Sequence, residues 1–158
     1  MSDATIGPPR PFELDPFQVA SIEHIDAGRS VVVSAPTGSG KTLVAEHALA
    51  QARANGRRGL YTTPIKALSN QKYRDLGNWM GYDEVGLLTG DNSINGDAGA
   101  VVMTTEVLRN MLYSEPERLS TTDIVVMDEV HYLQDSYRGP VWEEVIIHLP
   151  EHIRIVAL

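Results

Sequence analysis

The sequence predicts an α/β domain of three layers, a mainly parallel sheet with helices on both faces. Three observations carry this. The strand-like stretches "SVVVSA", "GLYTT" and "DIVVMDE" are short and almost continuously apolar, as strands covered on both faces are, instead of alternating with polar residues. They alternate with helix-like stretches along the chain. A glycine-rich run, "APTGSGKT" at residues 35–42, joins the first of these strands to the helix that follows.

Residues 1–11 contain Gly7, Pro8, Pro9 and Pro11 and are read as an extended N-terminal arm, so that the domain covers residues 12–158. In "LDPFQVASIEHIDAG", Asp15 is a candidate N-cap, Pro16 sits at the first helical position and Gly28 is the stop. Val19, Ile22 and Ile25 are expected to form its apolar stripe. "SVVVSA" follows as a strand, "TLVAEHALAQARAN" as a helix closed by Gly56, "GLYTT" as a strand and "IKALSNQKYRDLGNWM" as a helix. "EVGLLT" and "AVVMT" are strands flanking the turn-rich "LTGDNSINGDAGA". The remainder reads as helix "EVLRNMLY", strand "DIVVMDE", helix "WEEVIIHL" and strand "IRIVAL".

A chain of 158 residues with 42% apolar content can bury one ordinary core. It contains no cysteine, which excludes disulfides, a thiolate nucleophile and a cysteine-based zinc site. No stretch reaches the ~20 apolar residues that cross a bilayer, and "MSDATIGPPR" lacks the pattern of a secretory signal, so no membrane partner and a cytoplasmic location are expected. The net charge of −8 argues against a general polyanion-binding surface, because such affinity rests on lysine and arginine. Contact with nucleic acid would have to be local.

"APTGSGKT" matches the phosphate-loop pattern G-x-x-x-x-G-K-[ST] except that Ala35 replaces the first glycine. The substitution is compatible with the loop if Ala35 holds a negative φ, since Gly38 and Gly40 remain to let backbone N–H groups turn toward phosphate oxygens. Pro36, Thr37, Gly38, Ser39 and Gly40 would then cradle the nucleotide, Lys41 would reach its β and γ phosphates, and Thr42 would place its hydroxyl on Mg²⁺. The following helix directs its positive end at the anion. This combination implies a nucleoside triphosphate and Mg²⁺.

A second carboxylate is needed for the metal, and the apolar run "IVVM" ends in Asp128-Glu129-Val130-His131. Asp128 falls at the carboxyl edge of the sheet, where ligands bind open α/β sheets, and is a candidate Mg²⁺ partner through water. Glu129 would be free to accept a proton from an attacking water. His148 and His152 have metal-like spacing, but Pro150 breaks the helix between them and no metal is assigned there.

In order along the chain, "FELDPFQ", "APTGSGKT", "TTPIKALSNQKYRD", "LLTGD", "MTTEVLRNML" and "DEVHYLQD...RGPVWEE" resemble the superfamily-two DEXH-box helicases, and within them the Ski2-like (superkiller-like) group. The resemblance implies a RecA-like ATP-binding lobe. It makes Gln18 the partner of the adenine edge, Phe12 a stacking surface and ATP the nucleotide, and a glutamine amide can pair with adenine. His131 would couple the nucleotide site to a partner lobe.

The resemblance also implies a track for single-stranded RNA or DNA through Pro64, Lys66, Gly90, Thr105 and Arg109. Free N–H groups at helix starts suit phosphate oxygens without net positive charge, and contacts of this kind read backbone with little sequence specificity. Family members work with a second RecA-like lobe that supplies an arginine finger. This sequence is expected to be the first lobe alone, truncated at the C-terminal end of its sheet, and inactive as a helicase by itself. Two other readings stay open: a phosphate-loop ATPase that remodels protein, and a nucleotide-binding module that does not hydrolyse.

Overall fold

A computed structural model of the chain describes residues 13–36, 40–134, 136 and 139–158. Seven strands form one sheet: β1 (Val31–Val32), β2 (Arg58–Thr63), β3 (Val85–Leu88), β4 (Ser93–Ile94), β5 (Ala100–Thr104), β6 (Thr122–Met127) and β7 (Arg154–Ala157). Their spatial order is β1-β7-β6-β2-β5-β3-β4, and every pairing is parallel except that of β3 with β4. Among the described residues there are five α-helices, α1 (Pro16–Asp26) before the first strand and α2 (Lys41–Ala54), α3 (Lys66–Met80), α4 (Thr105–Ser114) and α5 (Gly139–His148) between later ones. The expected α/β architecture with a mainly parallel sheet is what the chain adopts.

The central strands β2, β5 and β6 are buried along nearly their whole length, which accounts for their unbroken apolar sequences. Two cores result, one on each face of the sheet. Val44, Ala48, Leu49 and Tyr61 belong to the first, with Val126 and Val156; Leu60, Met103, Leu108, Val125 and Trp142 belong to the second. Among the described residues no helix is long and apolar enough to cross a membrane.

Helix α1 starts as expected, with Asp15 in extended conformation as N-cap and Pro16 at the first position. Its buried face differs from the expected stripe. Gln18, Ile22 and Ile25 are buried whereas Val19 is 41% exposed, because spacings of four and three follow the 3.6-residue period better than two spacings of three. Three strand boundaries also differ. β1 spans two residues of the six expected, since it lies at the sheet margin and pairs with β7 alone. β4 is a two-residue antiparallel strand inside the turn-rich connection, too short to show a period. β6 ends at Met127, because Glu129 turns to a left-handed φ of 59° that no strand accommodates.

Candidate nucleotide and nucleic-acid sites

The carboxyl ends of the parallel strands lie along one edge of the sheet, and two cavities open there. The first, of about 480 Å³, brings together Gly40, Lys41 and Thr42 from the start of α2 with Asp128, Glu129 and His131 from the end of β6. Residues far apart in sequence thus meet as expected. Phe12, Thr37, Gly38 and Ser39 lie outside the described residues. Ala35 meets the condition set for it: among the described residues only Asn95 and Glu129 combine a positive φ with a side chain.

Gly40 is the N-cap of α2 at φ 90°, in the left-handed region. A Cβ on it would stand 2.6 Å from the Gln18 side-chain nitrogen. Gln18 itself is 3% exposed. Its Oε1 accepts from the Asp15 backbone N–H at 2.7 Å, closing a capping box, and its Nε2 donates to the Gly40 carbonyl at 3.0 Å. The amide expected to face adenine is therefore engaged with the phosphate loop and with its own helix start.

Asp128 makes three hydrogen bonds. Its backbone N–H donates to the Thr62 carbonyl at 3.0 Å, and its carboxylate accepts from the Glu129 N–H at 2.8 Å through Oδ1 and from the Tyr61 hydroxyl through Oδ2. A further bond links the neighbouring strand ends, from the Leu158 N–H to the Met127 carbonyl at 3.0 Å. Burial, and then the Asp128 charge, push the Tyr61 phenol well above its ordinary value, so it remains a neutral donor. The His131 Nε2 lies 3.2 Å from a carboxylate oxygen of Glu129, and the His131 side chain is 69% exposed.

The donor chemistry fits Mg²⁺. The Thr42 hydroxyl and the Asp128 carboxylate are hard oxygen donors beside one cavity. A carboxylate offers about four lone-pair sites, so Asp128 retains acceptor capacity after its two hydrogen bonds. Among the described residues there is no group of three or more His, Cys, Asp or Glu side chains that could hold a metal ion.

Five cavity residues were not anticipated: Leu158 after β7, and four from α3. Leu68, Gln71, Lys72 and Asp75 of α3 form one wall, and the Lys72 ammonium lies 5.2 Å from the centre of the Tyr61 ring. Their i, i+3, i+4, i+7 spacing was visible in the sequence; which face of α3 looks toward β6 was not.

The second cavity, of about 430 Å³, is lined by Pro64, Lys66 and Gly90, together with Thr104, Glu106 and Asn110. Gly90 has an ordinary φ, and a Cβ there would meet nothing within 4 Å. Its small size thus leaves the groove wide while the fold itself does not require it. Lys66 pairs with Asp91. Two expected participants are placed elsewhere. The Thr105 side chain is buried and its hydroxyl donates to the Thr63 carbonyl at 3.2 Å, while Thr104 caps α4 by accepting from the Val107 N–H at 3.4 Å. Arg109 stands 3.9 Å from Glu144 of α5 and does not line the groove.

The sequence description of the DEAD/DEAH box helicase family matches residues 15–158. The chain belongs to the DEAD/DEAH box helicases. It is 57% identical over 148 residues to "Probable helicase HelY" of Mycobacterium leprae (strain TN), a match covering 94% of this chain and 16% of that protein. It is 51% identical over 148 residues to "Antiviral helicase SKI2" of Saccharomyces cerevisiae, covering 94% of this chain and 12% of the relative. These relatives agree with the superkiller-like resemblance of the motifs. Among solved structures, the Mycobacterium smegmatis helicase Lhr bound to single-stranded DNA and AMP-PNP aligns with a TM-score of 0.70 at 27% identity, over 90% of this chain and 22% of that one. The chain thus spans a helicase domain that is under a quarter of the length of these relatives, and DEAD/DEAH box helicases use ATP.

Proposed function

We propose that this domain is the ATP-binding lobe of an ATP-dependent helicase that moves along or unwinds RNA or DNA. The observation that carries the reading is the single cavity in which Lys41 and Thr42 face Asp128, Glu129 and His131. Lys41 and the amino end of α2 bind the phosphates, where a lysine charge and free backbone N–H groups favour an anion. Thr42 and Asp128 would hold Mg²⁺, which when bound neutralises charge on the β and γ phosphates.

Glu129 accepts a proton from water as its oxygen bonds to the γ phosphorus and the bond to the β–γ bridging oxygen breaks, releasing ADP and phosphate. His131 holds one oxygen of Glu129 at 3.2 Å and restricts its rotation. The left-handed backbone at Glu129 supports this assignment, since such strain persists where the surroundings impose it and is concentrated at working sites.

The groove between Pro64, Lys66 and Gly90 suits one nucleic-acid strand, bound by backbone contacts with little sequence specificity. That the Lhr neighbour was solved with single-stranded DNA and AMP-PNP supports a nucleic-acid strand and a nucleotide as the two ligands. An arginine from a second lobe would complete the hydrolytic site, a contribution on the order of a thousandfold or more in related phosphoryl transfers. The test is the ATPase rate of the full-length protein with and without single-stranded RNA and DNA. Stimulation by either supports the reading, and a rate indifferent to both sinks it.

A further inference from the structure

Tyr61 lies in the interior of β2 with no exposed surface. Its ring packs in the core that contains Val44, Leu49 and Val126. A phenylalanine would serve that packing alone, and a buried hydroxyl is costly unless it is bonded. The Tyr61 hydroxyl is bonded, and its acceptor is Asp128 Oδ2, on the far side of the carboxylate from the Glu129 N–H. The parallel register explains the meeting: Tyr61 is opposite Val126 and Thr62 is opposite Met127, so that Asp128 emerges beside the end of β2.

We infer that Tyr61 is a positioning residue for magnesium-linked nucleotide binding, its hydroxyl holding the Asp128 carboxylate so that the remaining lone pairs face the cavity. The inference rests on the reading of that cavity as a Mg²⁺–ATP site. A carboxylate turns easily about its terminal bond, because such torsions have broad minima. One donor on each oxygen removes that freedom, and the Glu129 N–H alone leaves Oδ2 unrestrained. Partners of this kind behind a metal-linked carboxylate typically affect metal affinity or activity about 10–100-fold when removed. The Lys72 ammonium lies over the Tyr61 ring, 5.2 Å from its centre, and adds a contact that keeps the ring in place.

The experiment uses the full-length protein and reads nucleotide affinity across a Mg²⁺ titration, with EDTA as the zero point, for wild type and Tyr61→Phe. Wild type should bind more tightly as Mg²⁺ rises. Y61F should need about tenfold more Mg²⁺ for the same gain, with its affinity in EDTA unchanged. In an Asp128→Asn background the Tyr61→Phe change should add little.

A Y61F midpoint equal to that of wild type overturns the inference, as does a full additional loss in the D128N background. If Y61F does not fold, para-fluorophenylalanine at position 61 gives the same comparison, being close to tyrosine in shape but unable to donate. Tyr61→Leu separates packing from positioning. A Mg²⁺ midpoint that follows melting temperature across the variants, regardless of the hydroxyl, also overturns the inference. Wild-type binding that ignores Mg²⁺ would instead refute the underlying reading of the cavity, so the two failures are distinct.

Discussion

The side-chain nitrogen of Gln18 donates to the carbonyl oxygen of Gly40 at 3.0 Å, tying the first turn of α1 to the residue that caps α2. Gly40→Ala meets two obstacles at once. A left-handed φ costs a non-glycine residue roughly 1–2 kcal/mol, and the new Cβ would press on the Gln18 amide. The variant is expected to melt below wild type and bind nucleotide more weakly. Gln18→Ala removes the second obstacle, so Gly40→Ala should cost less in that background, which thermal melts of the four proteins would measure. Equal costs in both backgrounds would contradict the contact.

Glu129 sits at φ 59°, where glycine is the favoured residue. Glu129→Gly should therefore stabilise the domain, by about 1 kcal/mol in chemical denaturation. The same change, like Glu129→Gln, should abolish ATP turnover in the full-length protein while leaving ATP bound. Turnover retained in either variant would remove Glu129 from the role of base.

Lys66 and Arg109, the two cations expected along the nucleic-acid track, are predicted to behave differently. Lys66 lines the groove and Arg109 is drawn toward Glu144. Lys66→Ala should weaken single-strand binding and lower the slope of log affinity against log salt by about 0.7, the loss of one phosphate contact. Asp91→Asn frees Lys66 from its partner and should tighten binding. Arg109→Ala should change much less. Equal losses from the two alanine variants would show that the strand runs along another path.

Tyr61 also sets a limit at high pH. Its folded-state value is raised above the ordinary one by burial and by Asp128, so the unfolded chain ionises first as pH rises. The stability linked to this group is complete below pH ~10 and falls above it, by up to about 1.4 kcal/mol per pH unit. Urea melts at pH 9 and pH 11 should show a larger loss for wild type than for Tyr61→Phe. An identical loss would mean that other groups govern alkaline unfolding.

Much of this arrangement was legible in the residues because local rules and global structure agree. Asp15 and Pro16 mark the start of α1, Gly56 follows α2 at φ 70°, and continuous apolar runs mark the central strands. The capping box of Asp15 and Gln18 could also have been read, since an acceptor followed three residues later by glutamine is its signature. Other features depend on register. Nothing local marks Tyr61 as the partner of Asp128, because their meeting follows from the alignment of β2 with β6. The choice of Thr104 over Thr105 as the cap of α4 is a shift of one residue between adjacent, chemically identical side chains, decided by where β5 ends.

The carboxyl end of strand β2 stands beside both cavities: the Tyr61 hydroxyl bonds Asp128 of the first, and Pro64, just past the strand, lines the second. At about 3.3 Å per residue these positions are separated by only ~10 Å. The strand is hydrogen-bonded to β5 on one side and β6 on the other and is buried on both faces, which makes it a stiff strut. A nucleotide in the first cavity and a nucleic-acid strand in the second would be held at constant spacing. This lobe would act as a ruler during the motor's cycle, and each step would have to arise from some other body moving against it.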